Sequence, residues 1–208
     1  MKDLALAIVV AAVWGHGLVA LATPHPVDGA TGAPPASHVA GCGTERWDVK
    51  TLTDPLASSV VLSPTPTDIA TLGALKVSSP VKGDEARGVL EAEYQVYSVE
   101  GTVFVAKREE DQDIHIALED GQGHTMIVES AYPPCARGSL VLAQIKAARA
   151  QVLALAGGKE LTNATLKKLI GKHVRATGVF FADKLHGQSG VAPNGAELHP
   201  LLILEVLD

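Results

Sequence analysis

The sequence predicts a mainly β domain with helices, and three observations lead to this fold class. Five short stretches in the second half of the chain are predicted as strands, and the first two alternate between apolar and polar residues, which is the period of strands that bury one face. One long stretch with helical spacing separates the third of these stretches from the fourth. Hydrophobic residues make up 47% of the 208 residues and charged residues 19%, which excludes a fully disordered chain.

The first three predicted strands follow each other closely. Residues 97–105 alternate between apolar and polar side chains, and Gly101 within them indicates a bulge or a sharp bend. Residues 113–119 alternate in the same way, and residues 125–129 are predicted as the third strand. The Asp-Gly-Gln-Gly sequence at 120–123 predicts a turn between them, so these two strands should form a hairpin.

Two helices and two more strands are predicted after the hairpin. Residues 140–155 carry leucine, isoleucine and valine at helical spacing among alanine, lysine and glutamine. A shorter helix over 162–170 is expected to end at Gly171. Strands are predicted over 174–181 and 198–206.

The element order β-β-β-α-β-β predicts an OB-like five-stranded barrel, which is a Greek-key fold, over residues 94–208. An open α+β sheet has the same order of elements and is the competing architecture. The long connection 183–196 between the last two strands favours the barrel, because OB barrels carry long loops there.

The first 22 residues have the order of a secretory signal peptide. Lys2 precedes a long apolar run, and Ala20-Leu21-Ala22 forms an A-x-A cleavage site. A retained membrane anchor is the alternative, since the run is about as long as the roughly 20 residues of a membrane span. Cleavage before Thr23 predicts an exported protein, periplasmic or extracellular, with no spanning segment left.

Two segments separate the signal peptide from the barrel. Residues 23–41 are rich in proline, glycine and alanine and predict a disordered leader. Residues 42–93 carry a cysteine and a tryptophan near their start, and Thr67-Asp68 is expected to cap a short helix. We interpret residues 42–93 as an N-terminal arm that packs on the barrel and is not a separate domain.

The two cysteines, Cys42 and Cys135, predict one disulfide, because disulfides persist in exported proteins. Closing so long a loop contributes about 4 kcal/mol in the chain-entropy model. Two free buried thiols are one alternative. A second is lipidation of Cys42, since Val39-Ala40-Gly41-Cys42 spells a lipobox, although this sequence does not directly follow the apolar run.

Charge and composition disfavour nucleic acid as a partner. The net charge is −6, and phosphate binding is driven mainly by lysine and arginine. Aromatic residues make up only 4% of the chain, so side chains on which bases could stack are scarce. Two cysteines also exclude a four-cysteine zinc module.

Several motifs resemble a family of exported bacterial proteins with no established activity. The sequence CGTERWDVKT at 42–51 and the sequence LHGQSGVAPNG at 185–195, followed by ELHP at 197–200, carry the resemblance, together with residues 113–120 and 125–129. It spans about residues 42–206. The resemblance implies the domain limits and bacterial export, and it implies nothing about chemistry.

The candidate binding residues lie in the two loops that usually meet the ligand in an OB barrel, which join strands one to two and four to five. Strand alternation puts Asp113 and His115 on one face, and Glu197 and His199 on one side of the last strand. The predicted ligand-binding residues are Asp113, His115, Asp183, His186, Gln188, Asn194, Glu197 and His199.

A metal site is a sharper hypothesis for the same residues. His115, His186 and His199 are its candidate ligands, together with Asp113 and with Glu197 or Asp183 in support, since imidazole and carboxylate suit zinc or another divalent ion. No spacing in the chain matches a standard zinc motif. The alternative is structural: the histidines form hydrogen bonds, and His186 and Gln188 hold a loop rich in turn residues in shape.

Three functions are compatible with these features of the sequence. The leading prediction is an exported OB-like binding module of unknown ligand. The second is a metal-dependent, nuclease-like hydrolase that uses the same loops, with Arg108 and Arg175 available for phosphate. The third is an envelope structural or assembly protein whose arm docks on a partner, which a large apolar patch on the arm would favour.

Overall fold

A computed structural model describes residues 41–207 of the chain, and the predicted signal peptide and most of the predicted leader lie outside them. Strands account for most of the regular structure. They are β1 (Val61–Pro66), β2 (Gln95–Arg108), β3 (Ile114–Glu119), β4 (Thr125–Ser130), β5 (His173–Ala182) and β6 (Ala196–Val206).

The described residues contain four α-helices, and all of them except the third are short. They are α1 (Trp47–Thr51), α2 (Ile69–Gly73), α3 (Leu142–Leu155) and α4 (Asn163–Leu166). Single 3₁₀ turns lie at Ala57–Ser59, Glu91–Tyr94, Pro133–Ala136 and Lys167–Leu169. The helix predicted over 162–170 is therefore α4 followed by a 3₁₀ turn.

Five strands close a barrel. β2 pairs with β3, β3 with β4, and β5 with β6, all antiparallel. β4 pairs with β6 in parallel, and β2 pairs with β5, which closes the ring. With α3 between β4 and β5, this is the topology of an OB-like barrel. The predicted fold class is confirmed, and β1 is one extra strand that pairs in parallel with β2.

β2 is long because it pairs with two strands in succession. Its first half pairs with β5 and its second half with β3, and Thr102 at the junction pairs with both. Gly101, at which the sequence predicts a bulge or a sharp bend, lies next to this change of partner. The register irregularity itself falls between Val103 and Val105.

The barrel interior is filled by the apolar residues that alternate along the strands. Ile114, Ile116 and Leu118 of β3 pack there with Met126 and Val128 of β4. The opposite faces of these strands therefore point away from the interior. A second apolar cluster packs residues of the arm, such as Leu52 and Val60, against Ile145 of α3 and the outer face of β2 and β5.

Buried hydrogen bonds to β5 and the disulfide attach the arm to the barrel, and two buried ion pairs hold the arm itself together. Arg46 donates to both carboxylate oxygens of Glu93 at 2.8 and 2.9 Å and to the carbonyl of Ala182 at 2.7 Å. Arg87 donates in the same way to Asp54. The predicted disulfide between Cys42 and Cys135 is present. The arm is thereby held beside the end of β5.

The outer edge of the sheet is formed by β1, whose residues are all exposed. Leu56, Val61 and Leu62 are exposed apolar residues of this part of the arm. Pro64 and Pro66 lie within β1 and have no N–H to donate to an additional strand. Prolines at such an edge oppose pairing with another chain, so β1 gives little support to a docking role for the arm.

Within residues 41–207, no helix has both the length and the apolar character that crossing a membrane requires.

Candidate functional site

An open cavity of about 750 Å³ lies on the outer side of the barrel wall, and we call it the rim cavity. Three segments line it, which are residues 41–50 of the arm, the β2–β3 loop and the β5–β6 loop. His115 of β3 and Glu129 of β4 form part of its wall. The cavity therefore lies on the face and between the loops that OB barrels commonly use for ligands.

Strand register brings together the polar side chains of this wall. His115 lies opposite Glu129 in the β3–β4 hairpin, and Ile127 lies opposite Glu197 where β4 meets β6. Because side chains alternate along a strand, His199 lies on the same side of β6 as Glu197. Three strands thus present acids and imidazoles on one outer face, and all of these side chains are buried.

Glu129 lies at the centre of the cluster, between two histidines. Its Oε1 lies 3.1 Å from Nδ1 of His115, and its Oε2 lies 3.4 Å from Nδ1 of His199. The other ring nitrogen of His199, Nε2, lies 3.2 Å from Oδ2 of Asp113. Asp113, His199, Glu129 and His115 therefore form a continuous chain of acids and imidazoles.

Neighbouring groups hold this chain in place. The N–H of Tyr132 donates to Oδ1 of Asp113 at 2.6 Å, and Nε2 of His115 lies 2.9 Å from the carbonyl of Ser189. The rings of Trp47 and Phe181 contact the His199 ring edge-on, with centroids 6.4 and 6.0 Å away. His199 is thus fixed by packing on two sides and faces a carboxylate on each of the other two.

Several buried polar atoms of this wall have no hydrogen-bond partner among the described residues. Both ring nitrogens of His199 and Oδ2 of Asp113 are among them, as are Oδ1 of Asp183 and Oε2 of Glu197. Leaving such atoms unpaired costs about 1–3 kcal/mol each, and more when they are charged. Orphaned polar atoms that face one another indicate a place for a ligand.

Lys50 is the cation nearest to the buried acids of the cavity. Its Nζ lies 3.9 Å from Oδ1 of Asp183 and 5.1 Å from the centre of the Phe181 ring. Burial acts to lower the pKa of Lys50, but Asp183, Glu197, Glu129 and Asp113 together raise it above its usual value. Lys50 therefore stays charged.

The pKa values of the two glutamates of the wall are shifted in opposite directions. Burial acts to raise the pKa of Glu129, but the hydrogen bond with His115 and the charges of His199 and Lys50 lower it to about 2. Burial raises the pKa of Glu197 well above its usual value, and the charges of Glu129 and Asp183 raise it further. Burial also raises the pKa of Asp113, against the opposing effect of His199.

The structure brings most of the predicted binding residues to this cavity. His115, Asp183, His186, Gln188 and Glu197 line it. Asp113 and His199 lie behind Glu129, in contact with each other and with the wall. Asn194 lies elsewhere. Its amide donates to the carbonyls of Leu72 and Leu75, and its side chain lines a second cavity of about 410 Å³.

The predicted histidine triad does not form a single group. His186 is half exposed, and its Nε2 lies 3.7 Å from Oδ2 of Asp183. Among residues 41–207, the three side chains whose donor atoms all lie within 4.8 Å of one another are Asp113, Glu129 and His199. Of the three histidines named from the sequence, only His199 belongs to this group. His186 lies in a loop, whereas His199 is buried within β6.

Gln188 holds the β5–β6 loop in shape, as the structural alternative predicts. Its amide donates to Oδ2 of Asp183 at 2.9 Å and to the carbonyl of Lys184 at 2.8 Å. Its oxygen accepts from the N–H of His186. Lys184 forms an ion pair at 2.7 Å with Glu45 of the arm, which links the two sides of the cavity.

Sequence reasoning missed Glu129, Lys50 and Trp47. A signal for Glu129 was present, because a turn centred on residues 121–123 places Glu129 opposite His115 in the hairpin register. No comparable signal pointed to Lys50 or Trp47, since the arm reaches the cavity only through tertiary contacts.

Comparisons with known proteins give little beyond the fold. No protein-family model matches the chain, and no curated protein matches it. Among solved structures, it is similar to a protein from Leishmania major Friedlin described as an aspartyl-tRNA synthetase, with a TM-score of 0.37 and 9% sequence identity. The match covers 72% of this chain and 22% of that one, and no functional argument follows from it.

Proposed function

We propose that the chain is an exported OB-like module that binds a small cationic ligand in the rim cavity. One observation carries the proposal, which is the charge of the cavity wall. Seven acidic side chains line the cavity against two lysines, Lys50 and Lys107. The acids are Glu45, Glu109, Glu110, Asp111, Glu129, Asp183 and Glu197.

The acidic wall determines which ligands suit the cavity. Like charges repel at short range, and burial strengthens the effect because the local dielectric is low. A phosphate or carboxylate ligand would meet this repulsion, whereas a metal ion or an organic amine would neutralise it. A cationic ligand would also contact the unpaired oxygens of Asp183 and Glu197.

The nuclease-like alternative lacks the arginines that it requires. Neither Arg108 nor Arg175 lines the rim cavity. Arg175 forms ion pairs with Glu100 and Glu205 at the surface of the barrel. A phosphodiester in the rim cavity would therefore contact neither of these two guanidinium groups, and we do not propose this activity.

A panel of simple probes tests the proposed function. We expect ZnCl₂ or putrescine to raise the thermal unfolding midpoint by several degrees, and sodium phosphate to leave it unchanged. A ligand at 100 times its dissociation constant stabilises by about 2.7 kcal/mol, and a domain of this size gains about 2–4 °C per kcal/mol.

Two variants connect the response to the cavity. Asp183→Asn should reduce the shift, whereas Glu119→Gln, which changes an exposed acid at the end of β3, should preserve it. Stabilisation by phosphate alone, or an equal response of both variants, would overturn the proposal.

Export is the second part of the proposal. The Cys42–Cys135 disulfide supports it, because such bonds are rare in reducing compartments. The disulfide also occupies the sulfur that lipidation of Cys42 would need. When the full chain is expressed in a bacterium, we expect the intact mass of the exported protein to begin at Thr23. Retention of the first 22 residues would contradict this expectation.

A further inference from the structure

We propose that Asp113, Glu129 and His199 bind one divalent transition-metal ion of the zinc class at the inner wall of the rim cavity. This inference rests on the proposed function, because the metal ion would be a cation that the acidic cavity binds. It names a ligand set that differs from the three histidines expected from the sequence.

The separations between the donor atoms fit a metal ion. In a tetrahedral zinc site with bonds of about 2.0–2.2 Å, two ligand atoms lie about 3.3–3.5 Å apart. Nε2 of His199 lies 3.2 Å from Oδ2 of Asp113, which is close to this separation. Oε2 of Glu129 lies 3.4 Å from the other ring nitrogen, Nδ1, which cannot bind the same ion, so Glu129 must move to share an ion held by Nε2 and Asp113. The three side chains have donor atoms within 4.8 Å of one another, which places Glu129 within reach of this ion.

The unpaired atoms are an independent observation that points to a ligand. Asp113 Oδ2 and both ring nitrogens of His199 are buried and have no hydrogen-bond partner among the described residues. Asp113 is fully buried and His199 is 1% exposed, so bulk water does not pair these atoms. A single cation between the imidazole and the carboxylates would give a partner to Asp113 Oδ2 and to one of the two ring nitrogens.

The surroundings resemble the second layer of contacts that fixes metal ligands in proteins. His115 holds Oε1 of Glu129 and itself contacts the carbonyl of Ser189, while the N–H of Tyr132 holds Oδ1 of Asp113. Partners of this kind orient a ligand and fix which ring nitrogen carries a proton. Trp47 and Phe181 restrain the His199 ring from its edges.

Access and metal preference follow from the ligand set. Glu129 is the member of the group that lines the rim cavity, so an open coordination position would face the cavity. One imidazole with two carboxylates suits Zn²⁺ or Mn²⁺, whereas Mg²⁺ and Ca²⁺ prefer oxygen ligands alone. Zn²⁺ should bind more tightly than Mn²⁺, and excess Mg²⁺ should not displace it.

Calorimetric titration of the full-length, disulfide-bonded protein tests the site. After treatment with EDTA, the wild-type protein should take up one equivalent of Zn²⁺. His199→Gln should weaken this binding at least tenfold. His173→Ala is the control. It removes an exposed imidazole at the start of β5, outside the lining of the rim cavity, and it should change the dissociation constant less than about threefold, since losses of about 10–100-fold are expected for ligands and their direct partners.

A spectroscopic measurement keeps the test valid if His199→Gln does not fold. X-ray absorption of the wild-type zinc protein should show one imidazole and a majority of oxygen ligands. Two or three imidazoles in this spectrum, or loss of zinc binding in His173→Ala, would overturn the assignment. So would the absence of zinc uptake by the wild-type protein. If putrescine still stabilises the protein in that case, the proposed function stands and only the metal site fails.

Discussion

At the scale of single residues, the same ion pair occurs in two environments. Arg46 and Glu93 have no exposed side-chain surface, whereas Arg175 and Glu100 are 43% and 49% exposed. Both pairs place guanidinium nitrogens within 3 Å of a carboxylate. Because removing one partner of a buried pair leaves a charge without water or counterion, only the first pair should matter for stability.

We therefore predict that Glu93→Gln lowers the free energy of unfolding by about 3–5 kcal/mol, the usual loss when a buried pair is broken. Glu100→Gln should change it by less than about 1 kcal/mol, as for exposed pairs. Urea denaturation followed by circular dichroism measures both values. Equal losses in the two variants would show that burial does not decide the strength of these pairs.

Two glycines differ in the space around them. A Cβ atom on Gly178 of β5 would lie 2.8 Å from the carbonyl oxygen of Pro200 and 3.0 Å from the Cβ of Leu198, both in the neighbouring strand β6. A Cβ on Gly73 of α2 would meet nothing closer than 3.6 Å. The close approach of β5 and β6 therefore requires glycine at 178.

Gly178→Ala should destabilise the protein by about 1–3 kcal/mol, the usual cost of overpacking a well-packed core. Gly73→Ala should be neutral or stabilising by up to about 1 kcal/mol, because alanine reduces the freedom of the unfolded chain. Thermal unfolding of the two variants gives the comparison. If Gly178→Ala were tolerated as well as Gly73→Ala, the spacing of β5 and β6 would have to differ from the one described.

At the scale of elements, α2 depends on its N-terminal cap. The side chain of Asp68 accepts from the N–H of Thr71 at 2.6 Å, and this contact lowers the pKa of Asp68. Ile69 and Leu72 of α2 are buried in the barrel core cluster. Loss of the cap would therefore loosen a helix that contributes to the core.

Asp68→Ala should lower the free energy of unfolding by about 1 kcal/mol, in the 0.5–2 kcal/mol range of N-cap replacements. Asp84→Ala, at an exposed position outside any helix, serves as the matched control and should have little effect. Chemical denaturation at neutral pH measures the difference. A loss of the same size in both variants would mean that lost charge, and not the cap, is responsible.

The β3–β4 hairpin shows how an element creates a site. Its turn sets a register in which His115 faces Glu129 and Ile116 faces Val128. A shift by one residue would exchange the two faces and put the acid and the imidazole into the barrel interior. The polar pair is therefore a direct consequence of the turn and of the period of the strand.

At the scale of the whole molecule, the disulfide links segments that are 93 residues apart in the chain. Cys42 belongs to the arm, and Cys135 lies in the 3₁₀ turn after β4. The indole N–H of Trp47 donates to the carbonyl of Cys135 at 3.0 Å beside this link. The bond thus holds the arm segment that forms one side of the rim cavity.

Replacing both cysteines by serine should lower the free energy of unfolding by about 2–4 kcal/mol, mainly by releasing the unfolded chain. The zinc affinity proposed above should fall less than it does in His199→Gln, since no ligand is removed. Thiol titration of the unfolded, unreduced wild-type protein should find no free thiol. Two reactive thiols would refute the bond.

Local patterns in the sequence were sufficient to predict the strands and the main helix of the barrel. Alternation marked the positions of β2 and β3, short apolar stretches marked β4 to β6, helical spacing marked α3, and the turn at 120–123 marked the hairpin. These features depend on neighbours in the chain, which is why they can be read from the sequence alone. The disulfide was predicted from the presence of two cysteines in a chain with a predicted export signal. The edge strand β1 was missed, since its prolines and exposed side chains show no alternation.

The composition of the site depended on contacts between distant segments. His186 and His199 look equivalent in the sequence, but one lies half exposed in a loop and the other is buried in β6. The parallel pairing of β4 with β6 brings Glu129 to His199. The hydrogen bonds of Arg46 and Glu93 with Ala182, together with the disulfide, bring Lys50 and Trp47 to the same wall. Periodicity determines which face a side chain takes, whereas barrel closure decides which faces become neighbours. The sequence by itself therefore determined the strands and their polar faces, and only the tertiary structure decided which acids surround His199.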